Sequence, residues 1–131
     1  RPEARLDSRR HFYALAATLM RHALIDHARA AKSAKRGAGA VPVPLHDELP
    51  WLDAASPWVI DLDRALNELE ALDELQARMF EMRFLLGCTA EETAEILETS
   101  KATVDRKVRL ARAWLYQRLQ TEAPEPGFPP D

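Results

Sequence analysis

Lys101, Arg106, Lys107, Arg109 and Arg112 fall in one short stretch, KATVDRKVRLAR, of a chain whose formal net charge is only −3. Basic residues at that density are suited to holding a polyanion, by ion pairs to phosphate and, for arginine, by paired hydrogen bonds to a base edge. At about 100° per residue, Ala102, Arg106 and Arg109 share one side of a helix, with Lys101 and Thr103 at its exposed N-terminal end. Val104, Val108, Ala111 and Leu115 make the opposite, apolar side. A helix laid in the major groove needs that division, with apolar residues behind and donors in front. Arg106 and Arg109 are the candidates for base edges or nearby phosphates, and Lys101, Lys107 and Arg112 flank them as phosphate contacts. Asp105 is awkward there unless it pairs with Arg109 or accepts from a cytosine amine.

That helix must be positioned by others. Ser100 caps it, and it is expected to run to about Gln120. Before it, TAEETAEIL opens with the capping-box pair Thr89 and Glu92, with Ala94 small at the expected crossing and Ile96 and Leu97 facing inward. A short helix, a tight turn and a longer helix make a helix-turn-helix outline. Further upstream, Asp73 and Gln76 open another helix that stops at Gly87, and Leu62, Ala65, Leu66, Leu69 and Leu72 share a face of the one before it. Residues 8–33 read as a first helix, with Ser8 as N-cap and Phe12, Leu15, Ala16, Leu19 and Ala23 as its buried stripe. Between it and the rest, Lys35–Trp58 holds two glycines and four prolines and reads as an interdomain linker, in which Trp51 and Trp58 are expected to pack back on the helices. No strand is expected. The chain is therefore read as all-α, two small helical units joined by a Gly/Pro-rich linker, the C-terminal one a helix-turn-helix.

Charge is partitioned as well. Residues 1–40 carry nine Lys and Arg against three acids, 41–100 three against fourteen, and 101–120 six against one. Two basic blocks around an acidic middle suggest two separate contacts with a polyanion. The lone Cys88, next to a helix start, supports neither a disulfide framework nor a cysteine metal site and is expected to be a small buried residue. No apolar run approaches the roughly 18 residues of a membrane span, so a cytoplasmic protein without membrane contact is expected. Because the chain opens at Arg1, directly before a helical pattern, it reads as a piece of a longer product. Nothing resembles an enzyme: there is no Gly-rich phosphate loop and no nucleophile–base set. Glu91, Glu92 and Glu95 read as a solvated face, and neither cofactor nor metal is expected.

The stretch LDELQARMFEMRFLLGCTAEETAEILETSKATVDRKVRLARAWLYQRL resembles the −35-reading domain of bacterial sigma-70 family factors of the extracytoplasmic-function (ECF) type. Upstream, DSRRHFYALAATLMRHALIDHARAAKSAKRG is similar to the later part of the −10-reading domain of the same group, and the two occur in the family's order. The resemblance implies a division into residues 1–36 (the C-terminal part of the −10-reading domain), 37–60 (linker), 61–120 (−35-reading domain) and 121–131 (a Pro-rich disordered tail). It implies a non-catalytic sigma subunit that directs core RNA polymerase to promoter DNA, with an anti-sigma protein as a candidate further partner. The family's helices that grip the polymerase would precede Arg1. A loop that pockets an extruded base maps to about Leu6–His11. Arg9, Arg10, Tyr13, His22, Arg29, Lys32, Lys35 and Arg36 become the −10-reading candidates; Thr18, His22, Ile25 and Arg29 share one face, and Phe12 is assigned to the core. The linker's Asp47, Glu48 and Asp53 would lie near the emerging RNA. Two departures stand out: Glu98 and Thr99 occupy a turn where the family usually has glycine and an aliphatic residue, and His22 stands where Asn or Arg is common.

Two other readings fit the residues. One is a stand-alone helix-turn-helix regulator binding duplex DNA as a dimer, which would not need the upstream basic block. The other is a helical interaction module whose basic face takes an acidic partner.

Overall fold

The computed structural model describes the backbone over residues 2–34, 44–46, 49–53 and 58–122, and side chains over 8–30 and 59–119. Five helices carry it: α1 (Pro2–Ala34), α2 (Trp58–Leu72), α3 (Glu74–Phe84), α4 (Ala90–Leu97) and α5 (Lys101–Glu122). A short antiparallel hairpin, β1 (Pro44–His46) and β2 (Leu49–Asp53), pairs Pro44 with Asp53 and His46 with Leu49 across an irregular register. The hairpin corrects the expectation of no strand. Its prolines, Pro44 and Pro50, sit in a two-stranded ribbon, and edge strands are where proline is tolerated in a sheet. The side chains of Trp51, Trp58, Asp47, Glu48 and Asp53, and the tail beyond Glu122, lie outside the described residues.

Helix ends follow local chemistry. Thr89 and Glu92 form the full capping box: the Thr89 hydroxyl accepts from the Glu92 N–H at 3.0 Å, and the Glu92 carboxylate accepts from the Thr89 N–H at 2.8 Å. Ser100 accepts from the Thr103 N–H at 3.1 Å. The Asp73 carboxylate accepts from the Gln76 N–H at 3.0 Å, but the Gln76 side chain donates to the Lys107 carbonyl instead of returning to Asp73. That cap is therefore only half a box. The helix of residues 8–33 in fact begins at Pro2, a residue suited to the first helical turn, so Ser8 lies inside it and caps nothing. Leu6–His11, expected as a loop, is continuous helix, since nothing between Pro2 and His11 breaks one.

The turn after α4 realises the departure read from the sequence. Glu98 adopts φ 54°, ψ 53°, with its N–H donating to the Glu95 carbonyl at 3.2 Å and the Thr99 N–H to that of Ala94 at 2.9 Å. These two bonds make a Schellman ending, whose left-handed residue is usually glycine. A side chain there costs about 1–2 kcal/mol, against about 0.5–1 kcal/mol of extra unfolded-state entropy for glycine. Glu98→Gly is expected to stabilise the fold by about 0.5–1 kcal/mol, seen as a rise of a few degrees in Tm. A fall would mean that the exposed Glu98 side chain contributes contacts that outweigh the strain.

The core lies among α2–α5. Leu62, Ala65, Leu66 and Leu69 of α2, Phe80, Met79 and Met82 of α3, and Val104, Val108, Ala111, Leu115 and Leu119 of α5 are buried, as are Ala94, Ile96 and Leu97 of α4. Leu72 was placed on that face but is 71% exposed, because it ends α2 where the chain bends into the Asp73 cap. Central α3 is packed by α1, α2, α4 and α5, which is why its burial shows no single stripe.

Helix α1 lies on α2, α3 and α4, and not through the stripe expected of it. Phe12 (62% exposed), Leu15 (44%) and Leu19 (66%) face solvent, while Ala17, Arg21 and Ala28 are buried and Tyr13, Leu24 and Ile25 pack against the core. The determinant is charge. Arg21 donates from Nε to Asp63 Oδ1 at 2.8 Å, from Nη1 to Glu81 Oε2 at 2.9 Å, and from Nη2 to the Asp63 carbonyl at 2.9 Å and Asn67 Oδ1 at 2.6 Å. Glu81 is fully buried and also accepts from Arg78, which reaches toward Glu70 and Glu74. Burial pushes the Glu81 carboxyl above its ordinary value, and the Arg78 and Arg21 guanidiniums pull it back. Turning α1 to bury Phe12 and Leu19 would strip Glu81 of one of its two counter-charges.

Candidate nucleic-acid interface

Helix α5 presents two chemically distinct sides. Val104, Val108, Ala111, Leu115 and Leu119 are buried at helical spacing, and Lys101, Ala102, Arg106, Arg109 and Leu110 are exposed. Arg106 and Arg109, three residues apart and therefore neighbours on the helix surface, have no ion-pair partner among the described residues. Arg112 is half-buried further along. Donors thus stand in front of an apolar back that α2, α3 and α4 hold in place.

The other basic residues differ. Lys101 pairs with Asp105 at 2.8 Å, a hydrogen bond that raises its ammonium pKa. Asp105, for which a pair with Arg109 was one of two alternatives, takes Lys101 as its partner, four residues away at the start of the helix. Thr103 is tied to Ser100, accepting from its hydroxyl at 2.9 Å. Lys107 turns toward α3 and meets Asp73 at 3.0 Å, with both groups half-buried. Although burial pushes the Asp73 carboxyl up, the Gln76 N–H and the Lys107 ammonium together hold it below its ordinary value. Lys107 is thus a strut between α5 and the cap of α3.

On α1, Arg9, His22 and Arg29 are exposed, as is Thr18, whose hydroxyl donates to the Ala14 carbonyl. Arg10 instead donates from Nη2 to the Leu97 carbonyl at 2.9 Å, at the end of α4, and half-buried Tyr13 packs on the core. Ile25 does the same and leaves the polar face to its neighbours. Phe12, expected in the core, stands out in solvent with its ring edge-on to Tyr13 at 5.2 Å. The side chains of Lys32, Lys35 and Arg36 lie outside the described residues. Half-buried Cys88 has its thiol pushed up by burial and by Glu92, the opposite of an activated cysteine.

Three residues here were not picked out from the sequence. Leu110 is 56% exposed on the same side as Arg106 and Arg109, and its signal was an aliphatic residue outside the Val104–Val108–Ala111 stripe. Glu81 had a signal too, since it shares a helical side with Ala77, Phe80 and Phe84. Arg21 had none, because its partners lie 42 and 60 residues away. Among the described residues no group of three or more His, Cys, Asp or Glu side chains is placed to hold a metal ion, and no helix is long and apolar enough to cross a membrane.

Against known proteins, the family model described as ECF sigma factor matches residues 3–121. No curated protein and no solved structure matches the chain. The family match spans both basic segments, the acidic middle and all five helices, and the chain belongs to the ECF sigma factors, a family that acts in transcription initiation.

Proposed function

We propose that the chain directs core RNA polymerase to promoters in the cytoplasm by reading two DNA elements, with α4 and α5 as the helix-turn-helix that reads the −35 duplex. The observation that carries this reading is the α5 face. Arg106 and Arg109 are exposed and have no ion-pair partner among the described residues, and an apolar side opposite fixes the direction in which they point. In the major groove such arginines reach guanine O6 and N7, and exposed Leu110 suits a thymine methyl. Lys101, Ala102, Thr103 and Arg112 border the same contact, and Lys107 supports it from behind through Asp73.

Residues 1–36 are assigned to the −10 strand. Arg9, Arg10, His22, Arg29, Lys32, Lys35 and Arg36 supply a positive track and Tyr13 a stacking surface, the two components of single-strand capture. Residues 37–60 connect the readers, 61–120 form the −35 reader and 121–131 are a tail. Promoter DNA and core polymerase are the partners, and an anti-sigma protein is a candidate regulator. The test is run-off transcription on sheared genomic DNA with core polymerase. Discrete new start sites that depend on the protein are expected. Sequence-specific duplex binding without polymerase, and no new starts, would replace this reading with the stand-alone regulator.

A further inference from the structure

We propose that Leu110 reads the C5-methyl group of a pyrimidine, so that the duplex site of α5 calls for a thymine, or accepts a 5-methylcytosine, close to a guanine. The inference deepens the assignment of α5 to the −35 duplex and rests on it.

The first observation is what the exposed side of α5 carries. Between Lys101 and Ala113 the exposed residues are Lys101, Ala102, Arg106, Arg109, Leu110 and Ala113. The only carboxylate of that stretch, Asp105, is occupied by Lys101 at 2.8 Å, and the Thr103 hydroxyl is engaged with Ser100. The stretch holds no Asn, Gln or Glu. What remains is two arginine donors and an apolar surface, with no free carboxylate or amide beside them. In the major groove, cytosine and adenine present an amine that asks for an acceptor. Guanine and thymine present only acceptors, and thymine adds a methyl group. This side of α5 therefore favours guanine and thymine on the strand it faces.

The second is where Leu110 sits. A single exposed leucine is ordinary on a protein surface, so its neighbours decide what it does. Leu110 is 56% exposed. At 100° per residue it lies roughly 160° from buried Val108, too far round to turn into the core, and about 40° from Arg106. The rise from Arg106 to Leu110 is about 6 Å, between one and two base-pair steps. An Arg106 guanidinium on guanine O6 and N7 thus brings Leu110 to the edge of a base one or two pairs away. The apolar group that edge can offer is a C5-methyl.

The third is reach. Ala102 and Ala113, the other exposed apolar residues of the stretch, end at Cβ and cannot extend into the groove as leucine does. Leu110 is the one long apolar side chain on this side. Covering one methyl is comparable to burying one CH₂, about fourfold in Kd.

The experiment starts from duplexes enriched from a randomised pool by the full chain. Each thymine of the enriched site is replaced in turn by uracil, which lacks only the methyl. At one thymine the wild type is expected to lose about fourfold in affinity. Leu110→Ala should bind the thymine duplex about fourfold more weakly and lose nothing further on uracil. At the same position 5-methylcytosine should bind more tightly than cytosine by a similar factor, and only while Leu110 is present. The uracil and 5-methylcytosine series on the wild type need no variant, so the result does not depend on how Leu110→Ala folds. Uracil tolerated at every position, or an equal loss on uracil in both proteins, overturns the methyl contact. Failure of the underlying assignment is read separately. In that case no duplex is enriched, or the enriched one binds Arg106→Ala and Arg109→Ala as well as it binds the wild type, and the inference falls with it.

Discussion

Glu81→Ala is expected to lower the stability of the fold by about 3–5 kcal/mol, the range found when one member of a buried ion pair is removed. The carboxylate is fully buried and stands between two guanidiniums, accepting from Arg21 at 2.9 Å and from Arg78. Its loss leaves both with donors facing a void. Arg78 retains Glu70 and Glu74, and Arg21 retains Asp63 and Asn67, so neither charge is wholly abandoned. Set against a typical total of about 5–15 kcal/mol, the loss corresponds to a fall in Tm on the order of 10–20 °C. Thermal melts followed by circular dichroism measure it. Glu81→Gln keeps the shape and one acceptor, so it should fall between the wild type and the alanine variant. A Glu81→Ala protein within 1 kcal/mol of the wild type would show that the cluster is solvated and that α1 is positioned by other contacts.

For function the largest effect is expected at Arg106 and Arg109. Each alanine replacement should cost about 1–3 kcal/mol on a cognate −35 duplex if the side chain reads a base, about 5- to 150-fold in Kd. Binding isotherms at several salt concentrations separate the two ways an arginine can act. A base reader loses affinity for the cognate site and little for others. A phosphate contact loses affinity on every sequence, with the salt slope reduced by about 0.9 for each contact removed. Lys107→Ala supplies the contrast. Its ammonium is held by Asp73, so its replacement should change stability more than DNA affinity. Equal and large losses of affinity at all three positions would mean that α5 meets DNA through a different side.

Much of α4 and α5 was legible because the forces that set them act over a single turn of helix. The Thr89–Glu92 box, the Ser100 cap, the left-handed Glu98 and the Val104–Leu115 stripe each depend on residues within a few positions of one another. The exposed arginines followed from that stripe, because burying one side of a helix exposes the other. Local chemistry along the chain was thus enough to set the ends and the faces of α4 and α5.

Helix α1 was legible as a helix and not as a contact. Periodicity showed that Phe12, Leu15 and Leu19 share a side, but not whether this chain covers that side, and it does not. The tertiary structure decided the orientation through Arg21, since a buried Glu81 needs counter-charge and only a long-range approach supplies the second guanidinium. It likewise turned Lys107 toward Asp73, 34 residues away, and tied α5 to the cap of α3. Local hydrogen bonding and side-chain spacing are written along the chain, whereas the pairing of distant charges is settled only when packing brings them out of water together.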